Sequence, residues 1–170
     1  MKEHQKHVTA WMQKANQETP DRPTMPDLDV RKLRIALIAE ELAELCDAFG
    51  LKITLDTRRG KKPKIEIIEN ECKPALTFVD LKDSYDAVED LLVVVLGTSV
   101  AIGADAEPGF VEVMRSNDSK FIDGHRRADG KWIKGPSYSP ADLAPILQEQ
   151  LKAAHLRDKQ ATDKSDPPAV

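Results

Sequence analysis

The sequence has few cysteines, few aromatic residues and no apolar run long enough to cross a membrane. Its two cysteines, Cys46 and Cys72, are too few for a disulfide framework and lack metal-ligand spacing, so we expect a reduced, cytoplasmic protein. The N-terminal segment MKEHQKHVTAW has no apolar stretch typical of a signal peptide. The most apolar segment, LLVVVLGTSVAIG (91–103), is shorter than the ~20 residues of a membrane helix, so we expect no membrane association.

The charge balance is weakly acidic, with 25 basic and 29 acidic side chains and a formal net charge of −4. This balance disfavours indiscriminate binding to nucleic acid polymers. A chain of 170 residues is long enough to bury a hydrophobic core. We expect a single domain over 1–156 and a disordered polar tail over 157–170, which ends in SDPPAV.

Apolar periodicity predicts an all-α fold, a helical bundle of about four to five helices. The expected helices lie at about 3–15, 30–49, 82–103 and 108–121, and a last helix is capped by Ser139 with Pro140 at its first position. Asp27 or Asp29 can cap the second helix, and Asp80 the third. Residues 51–70 alternate apolar and polar side chains around RRGKKP, which fits a small β-hairpin insertion or an irregular loop.

The second expected helix carries an acidic group that lacks basic neighbours. In IAEELAELCD (38–47), Glu40, Glu41 and Glu44 have no Lys or Arg three or four residues away. These acids adjoin a predicted core stripe, whose members are Ile35, Ile38, Leu42, Leu45 and Phe49. Like charges at this spacing repel each other, so a compensating group outside the helix is expected.

The third expected helix repeats this pattern, with Asp83, Asp86 and Asp90 on one face. Each acidic face read alone is typical of a solvated helix surface. Two acidic helix faces that both adjoin apolar stripes favour a binding site for Mg²⁺, with Mn²⁺ as a substitute, since both ions prefer oxygen ligands. An EF-hand needs its ligands in a loop, and a di-iron bundle needs Glu-x-x-His pairs, so neither fits these helices.

Cationic and amide side chains follow further along the chain. Asn117 lies in an apolar stripe with Lys120 one turn later, although a structural asparagine would give the same pattern. The glycine-rich segment GHRRADGKWIKG then supplies Arg126, Arg127, Lys131 and Lys134, which fit either a phosphate-binding loop or an ordinary exposed loop. Acids for a metal together with these cations indicate a polyphosphate ligand. The sequence has no Walker-A motif.

Together these residues resemble the all-α NTP pyrophosphohydrolases, the MazG-like and phosphoribosyl-ATP-pyrophosphohydrolase-like superfamily. Glu40, Glu41 and Glu44 match its E-E-x-x-E motif, and Asn117 and Lys120 match its N-x-x-K motif. The segment RRADGKWIKGPSYSPADL (126–143) is similar to the C-terminal part of one subgroup. The resemblance covers about 28–50 and 83–143.

The sequence departs from the family at the E-x-x-D motif. Alignment on Asp90 places Ala87 where the family has glutamate, and Asp86 is the neighbouring acid that would replace it. The segment 51–80 is also longer than expected between these helices. The departure raises the alternative of a catalytically silent nucleotide-binding or metal-binding module, and a purely structural helical oligomer is a further alternative.

The resemblance implies Mg²⁺-dependent hydrolysis of a nucleoside triphosphate between the α and β phosphates. From the residues themselves we expect the carboxylates to bind metal and one of them, for which we choose Glu41, to orient the attacking water. Lys120, Arg126, Arg127 and Lys131 would neutralise phosphates, and Asn117 would bind a phosphate or ribose oxygen. The expected metal ligands are Glu40, Glu41, Glu44, Asp86 and Asp90. Family members form their active sites between subunits, so a homodimer or homotetramer is expected.

Overall fold

The computed structural model describes residues 1–56, 64–72 and 75–163. Within these ranges the chain forms five α-helices, four short strands and a 3₁₀ helix. They are α1 (Lys2–Lys14), α2 (Leu28–Ala48), β1 (Leu51–Asp56), β2 (Lys64–Glu69), α3 (Phe78–Ile102), α4 (Ala106–Asp118), the 3₁₀ helix (Ser119–Phe121), β3 (His125–Arg126), β4 (Trp132–Ile133) and α5 (Ala144–Asp163). The expected all-α class with a small hairpin is therefore confirmed.

The chain divides into two compact units. Unit A consists of residues 1–25 and the chain from residue 99 onward, and unit B consists of residues 26–98. The single-domain organisation expected for 1–156 stays a prediction. No single helix in the described ranges has both the length and the apolar composition needed to cross a membrane.

In unit B, helix α2 begins and ends at the residues that its sequence signals indicate. The Asp27 carboxylate accepts a hydrogen bond from the amide of Val30 at 2.9 Å and caps the first turn. At the other end Gly50 adopts a φ of 66°, a conformation that costs glycine little. Both ends agree with the expected helix.

The segment after α2 is a β-hairpin, which decides between the two alternatives left open by the sequence. Strands β1 and β2 pair antiparallel from Leu51 opposite Glu69 to Asp56 opposite Lys64. Asn70 closes the open end, because its amide donates to the Gly50 carbonyl at 2.7 Å and its side chain donates to Asp47 at 3.1 Å. The expected turn at RRGKKP (58–63) lies outside the described residues.

The buried face of α2 differs from the predicted core stripe. Ile35 is 68% exposed and Phe49 is 48% exposed, whereas Arg34 is only 5% exposed. Arg34 was not part of the predicted stripe, but the long apolar stem of an arginine can pack inside a protein. Burial lowers the pKa of the Arg34 guanidinium, as expected when a charged group loses solvent.

Helix α3 begins at Phe78 rather than near Lys82. The Asp80 carboxylate accepts a hydrogen bond from the Thr77 amide at 2.7 Å, and the Thr77 hydroxyl lies 3.4 Å from the Asp80 amide. This reciprocal pair is a capping box in which Asp80 is the third helical residue. The expectation that Asp80 itself caps the helix was therefore wrong.

In unit A, buried apolar side chains come from three helices: Val8, Met12, Val100, Ala101 and Ala154. Two glutamines order the turn between α3 and α4. The Gln5 side chain donates to the Ala104 carbonyl at 2.7 Å and accepts from the Ala106 amide at 2.9 Å. The Gln150 side chain accepts from the Asp105 amide at 2.9 Å.

Helix α5 begins at Ala144, so the expected cap at Ser139 was wrong. The Ser139 hydroxyl accepts a hydrogen bond from Arg115 at 3.1 Å, and the Ser139 amide donates to Ser119 at 2.9 Å. Both groups are therefore used to attach this loop to the preceding helices. At the opposite end α5 continues to Asp163, past the boundary expected near Leu156, and 164–170 lie outside the described residues.

Candidate functional site

The acidic residues of α2 lie partly on its surface and partly on its buried face. Glu40 and Glu44 are exposed, whereas Glu41 is partly buried. Glu41 lies two turns after buried Arg34 and two turns before buried Ala48, so it shares their side of the helix. The two predicted α2 metal ligands at the surface therefore flank one acid that is partly buried.

The pKa of the Glu41 carboxyl is raised above its ordinary value by burial and then by repulsion from Glu44, Asp90 and Glu40. Because Asp90 belongs to α3, acids from two helices act on the same group. None of these four carboxylates forms a hydrogen bond or an ion pair with any residue in the described ranges. Three other predicted metal ligands, Glu44, Asp90 and Glu40, therefore lie near enough to Glu41 to repel its ionised form.

The fifth predicted ligand, Asp86, lies one turn before Asp90 on α3 and is exposed. It is not among the charges that shift the pKa of Glu41. Ala87, at the position where the resemblance led us to expect glutamate, is only 5% exposed. Asp83 is close to a base of its own helix, since the Lys82 ammonium lies 3.6 Å from its carboxylate.

The carboxylates of unit B are suitable ligands for a hard divalent cation, but they lie too far apart to bind one in this structure. The four grouped side chains offer only carboxylate oxygens, the ligands that Mg²⁺ and Mn²⁺ prefer. Nowhere in the described ranges, however, do three His, Cys, Asp or Glu side chains approach closely enough to hold a metal ion. A bound ion would therefore require the exposed carboxylates to change rotamer.

In unit A, Asn117 and Lys120 form a direct pair at the end of α4. The Lys120 ammonium donates to the Asn117 amide oxygen at 2.6 Å, and both residues are partly buried. The apolar stripe that was expected to surround Asn117 is largely exposed, because Phe110 and Phe121 are 51% and 58% exposed. Asn117 nevertheless has the hydrogen-bond partner that its position was expected to require.

The predicted basic loop contains a two-stranded hairpin. His125 pairs with Ile133 and Arg126 pairs with Trp132. The Arg127 guanidinium is paired with the Asp129 carboxylate, which raises the pKa of Arg127 and lowers that of Asp129. Arg126 and Lys131 are exposed. These cations therefore belong to an ordered turn rather than to an open glycine-rich loop.

A polar network that attaches the segment 138–142 to α4 was not foreseen from the sequence. Glu112 and Arg115 form a two-pronged ion pair at 2.7 and 2.8 Å, and Arg115 also donates to the Pro140 carbonyl at 3.1 Å. Glu112 in turn accepts from the Asp142 amide at 2.9 Å. The i, i+3 spacing of Glu112 and Arg115 was a readable signal for the ion pair, but not for its backbone partners.

A cavity of about 410 Å³ also lies in unit A. Its walls include Lys2, Lys6, Thr19 and Arg157, from α1, the following loop and α5. Its described lining contains none of the predicted site residues, so this cavity does not enlarge the candidate site.

Comparisons with known proteins agree with the sequence motifs. The sequence profile of the phosphoribosyl-ATP pyrophosphohydrolase family matches residues 6–117, which include the predicted carboxylates and end at Asn117. Lys120 and the β3–β4 hairpin lie beyond the match. A comparison with curated proteins finds no match. The match spans well over half of the chain, and the protein therefore belongs to the phosphoribosyl-ATP pyrophosphohydrolase family.

Proposed function

We propose that the protein is a Mg²⁺-dependent nucleoside triphosphate pyrophosphohydrolase. The reaction cleaves the bond between the α and β phosphates and yields a nucleoside monophosphate and pyrophosphate. Family membership supports a pyrophosphohydrolase activity. The observation that carries the proposal is the repulsion of Glu41 by Glu44, Asp90 and Glu40, which a bound cation would relieve.

The residues that would hold the metal are Glu40, Glu41, Glu44, Asp86 and Asp90. A bound Mg²⁺ would polarise phosphate oxygens and offset the charge that develops during transfer. Mn²⁺ could substitute, because it accepts the same oxygen ligands. Exposure leaves Glu40, Glu44 and Asp90 free to turn toward an ion without disrupting the protein interior.

Glu41 is the proposed catalytic base. Its raised pKa makes it a better proton acceptor than an ordinary surface carboxylate, which suits a group that takes a proton from water. The hydroxyl of the water adds to one phosphorus, and the bridging oxygen leaves with the other phosphate. Glu41 would orient the water before attack and hold its proton afterwards.

The proposed substrate-binding residues are Asn117, Lys120, Arg126, Arg127 and Lys131. The four cations would offset the negative charge of the phosphate groups. Asn117 would bind a phosphate or ribose oxygen through its amide nitrogen, since its amide oxygen already accepts from Lys120. Asp129 would share Arg127 with the substrate, because the two side chains are paired.

A catalytically silent nucleotide-binding module is the second candidate, and Ala87 favours it. Its small side chain is buried where the family has a carboxylate, so one ligand is missing unless Asp86 replaces it. Such a module would bind Mg²⁺ and nucleotide without releasing product.

We further propose a homodimer or homotetramer. Large apolar side chains are exposed on α2 and α3, among them Leu33, Ile35, Tyr85, Leu92 and Val95. Exposed apolar surface of this kind often marks a protein interface. Light scattering coupled to size-exclusion chromatography would give the mass, and a monomer would contradict the proposal.

The function is tested by comparing Glu44→Gln with Glu66→Gln under Mg²⁺. Glu66 is an exposed carboxylate on β2 of the same unit and controls for the loss of one negative charge. Glu44→Gln should reduce pyrophosphate release at least about 100-fold while circular dichroism stays unchanged. Normal turnover by Glu44→Gln would remove this residue from the site.

A further inference from the structure

Tyr138 contacts both Lys134 and Ser116, the residue one helical turn before Lys120. The Lys134 nitrogen lies 3.9 Å from the ring centre, in the geometry of a cation–π contact. A hydrogen bond from Ser116, at 3.3 Å, and the charges of Lys134 and Lys120 lower the pKa of the Tyr138 phenol. Lys120 is one of the predicted phosphate ligands and Lys134 is a cation of the segment predicted to bind phosphates, whereas the sequence assigned no role to Tyr138.

The backbone around Tyr138 is fixed on both sides. The Ser119 hydroxyl, in a residue that is 7% exposed, accepts from the Ser139 amide at 2.9 Å. The Asp123 carboxylate accepts from the Ser137 amide at 3.0 Å. Because these anchors come from the 3₁₀ helix and the residues after it, Tyr138 is held beside the Asn117–Lys120 pair.

The partners of Lys134 distinguish it from the arginine that precedes the hairpin turn. Arg127 is neutralised by the carboxylate of Asp129. In the described part of the chain, Lys134 has no acidic partner within ion-pair distance. Its ammonium group lies instead over the face of the Tyr138 ring. An aromatic face positions an ammonium group without neutralising it, so the N–H donors of Lys134 stay available for an anion.

We propose that Lys134 binds the polyphosphate of the substrate together with Lys120, and that Tyr138 positions the Lys134 ammonium group for this contact. The identity of the ligand as a nucleotide polyphosphate rests on the proposed function. Lys134 would donate to non-bridging phosphate oxygens, to which Lys134 and Lys120 would both supply charge and hydrogen bonds. Tyr138 acts through Lys134 and is a positioning residue.

The proposal is tested by calorimetric titration with inorganic tripolyphosphate in EDTA, where metal ions at the carboxylates cannot contribute. Lys134→Met should weaken the affinity about tenfold, since it removes a charge-assisted hydrogen bond. Lys152→Met is the matched control, because Lys152 is an exposed lysine of α5 in the same unit. The affinity of this variant for tripolyphosphate should stay within about twofold of wild type. Lys134→Arg keeps the charge and should retain most of the affinity.

Tyr138→Phe separates positioning from folding. It retains the ring but removes the hydroxyl whose hydrogen bond from Ser116 holds the ring in place under the Lys134 ammonium group, so tripolyphosphate affinity should fall while thermal stability changes little. In steady-state assays Lys134→Met and Tyr138→Phe should raise KM more than they lower kcat. If Lys134→Met fails to fold, Lys134→Gln and Tyr138→Phe decide the matter by the same titration.

Failure of this inference is distinguishable from failure of the proposed function. A wild-type protein that hydrolyses nucleotide while Lys134→Met keeps its KM and its tripolyphosphate affinity would overturn the subsite alone. A wild-type protein that binds tripolyphosphate through Lys134 but hydrolyses no nucleotide would overturn the function alone. The absence of tripolyphosphate binding to wild type would also overturn the subsite.

Discussion

The ammonium nitrogen of Lys120 lies 2.6 Å from the amide oxygen of Asn117, one helical turn earlier in the chain. This hydrogen bond fixes which end of the Asn117 amide is engaged and leaves its nitrogen free to donate. An ammonium group carries three donors, so Lys120 retains two for a phosphate. The N-x-x-K motif therefore forms a pre-ordered pair of donors within unit A.

We predict that Glu41→Gln raises the melting temperature in the absence of metal. The folded state holds the pKa of Glu41 above its ordinary value of 4.5, so the ionised carboxylate destabilises the fold at neutral pH. Repulsion of a few tenths of a kcal/mol per neighbouring acid corresponds to a rise of about 1–2 °C. Differential scanning calorimetry at pH 7 in EDTA measures this rise.

The pH dependence and a matched variant control this prediction. The excess stability of Glu41→Gln should shrink as pH falls through the raised pKa of Glu41, because the wild-type carboxyl then becomes neutral as well. Glu66→Gln, on the exposed hairpin of the same unit, should leave the melting temperature unchanged. A lower melting temperature for Glu41→Gln would mean that the charged carboxylate stabilises the fold.

We predict that the ion pair between Glu112 and Arg115 stabilises unit A at neutral pH and not in acid. The hydrogen bonds from Arg115 and from the Asp142 amide lower the pKa of Glu112 from 4.5 to about 2. A lowered pKa contributes stability above the unfolded value, and this stability is lost as pH falls from about 4.5 to about 2. Glu112→Gln should therefore unfold at lower temperature than wild type at pH 7, with the difference disappearing near pH 2.

A melting series from pH 2 to pH 7 provides the measurement. Glu149→Gln, at an exposed site of α5, supplies the control for losing one negative charge. If the difference in melting temperature between Glu112→Gln and wild type stayed constant across the series, the charge on Glu112 would not contribute to stability.

We predict that Gly135→Ala disrupts the attachment of the loop that carries Tyr138. A Cβ atom at Gly135 would lie 2.1 Å from the Asp123 carboxylate oxygen and 2.5 Å from its carbonyl oxygen. The backbone must move, which should cost about 1–3 kcal/mol of unfolding free energy and weaken tripolyphosphate binding. Chemical denaturation and calorimetric titration measure the two effects.

Gly109→Ala is the matched control for this substitution. Its added Cβ would meet a Leu143 carbon at 4.0 Å, an ordinary contact, and Gly109 lies within α4. Alanine is favoured over glycine in a helix by about 0.5–1 kcal/mol, so stability should rise slightly. Equal behaviour of the two variants would contradict the tight packing at Gly135.

The sequence predicted the helices and the hairpin because capping residues, glycines and the spacing of apolar residues determine where these elements begin and end. The Asp27 cap and the glycine at position 50 bound α2, and alternation across 51–70 allowed the observed hairpin. Tertiary contacts decided what local signals could not. Ser139 has the residue type of a helix cap, but its groups bond to Arg115 and Ser119, so α5 begins at Ala144 instead.

The part of the candidate site whose residues share one helix was predictable from the sequence. The part that depends on contacts with other elements of the chain was not. The acids of α2 were identified by their lack of neighbouring bases, and Asp90 lies close enough to act on Glu41. The partial burial of Glu41 could not be predicted without knowing that Arg34, on the same side of α2, is buried. The contact between Lys134 and Tyr138 joins the hairpin to the loop after it, which helical periodicity cannot indicate.

The most direct test of the central claim is to identify the products formed by the wild-type protein from a panel of nucleotides. The panel contains canonical and modified NTPs and dNTPs and phosphoribosyl-ATP, each with Mg²⁺, with Mn²⁺ and with EDTA. Anion-exchange chromatography should show equal amounts of monophosphate product and pyrophosphate with metal, and neither with EDTA. Formation of diphosphate and orthophosphate, or no turnover of any nucleotide, would contradict the account.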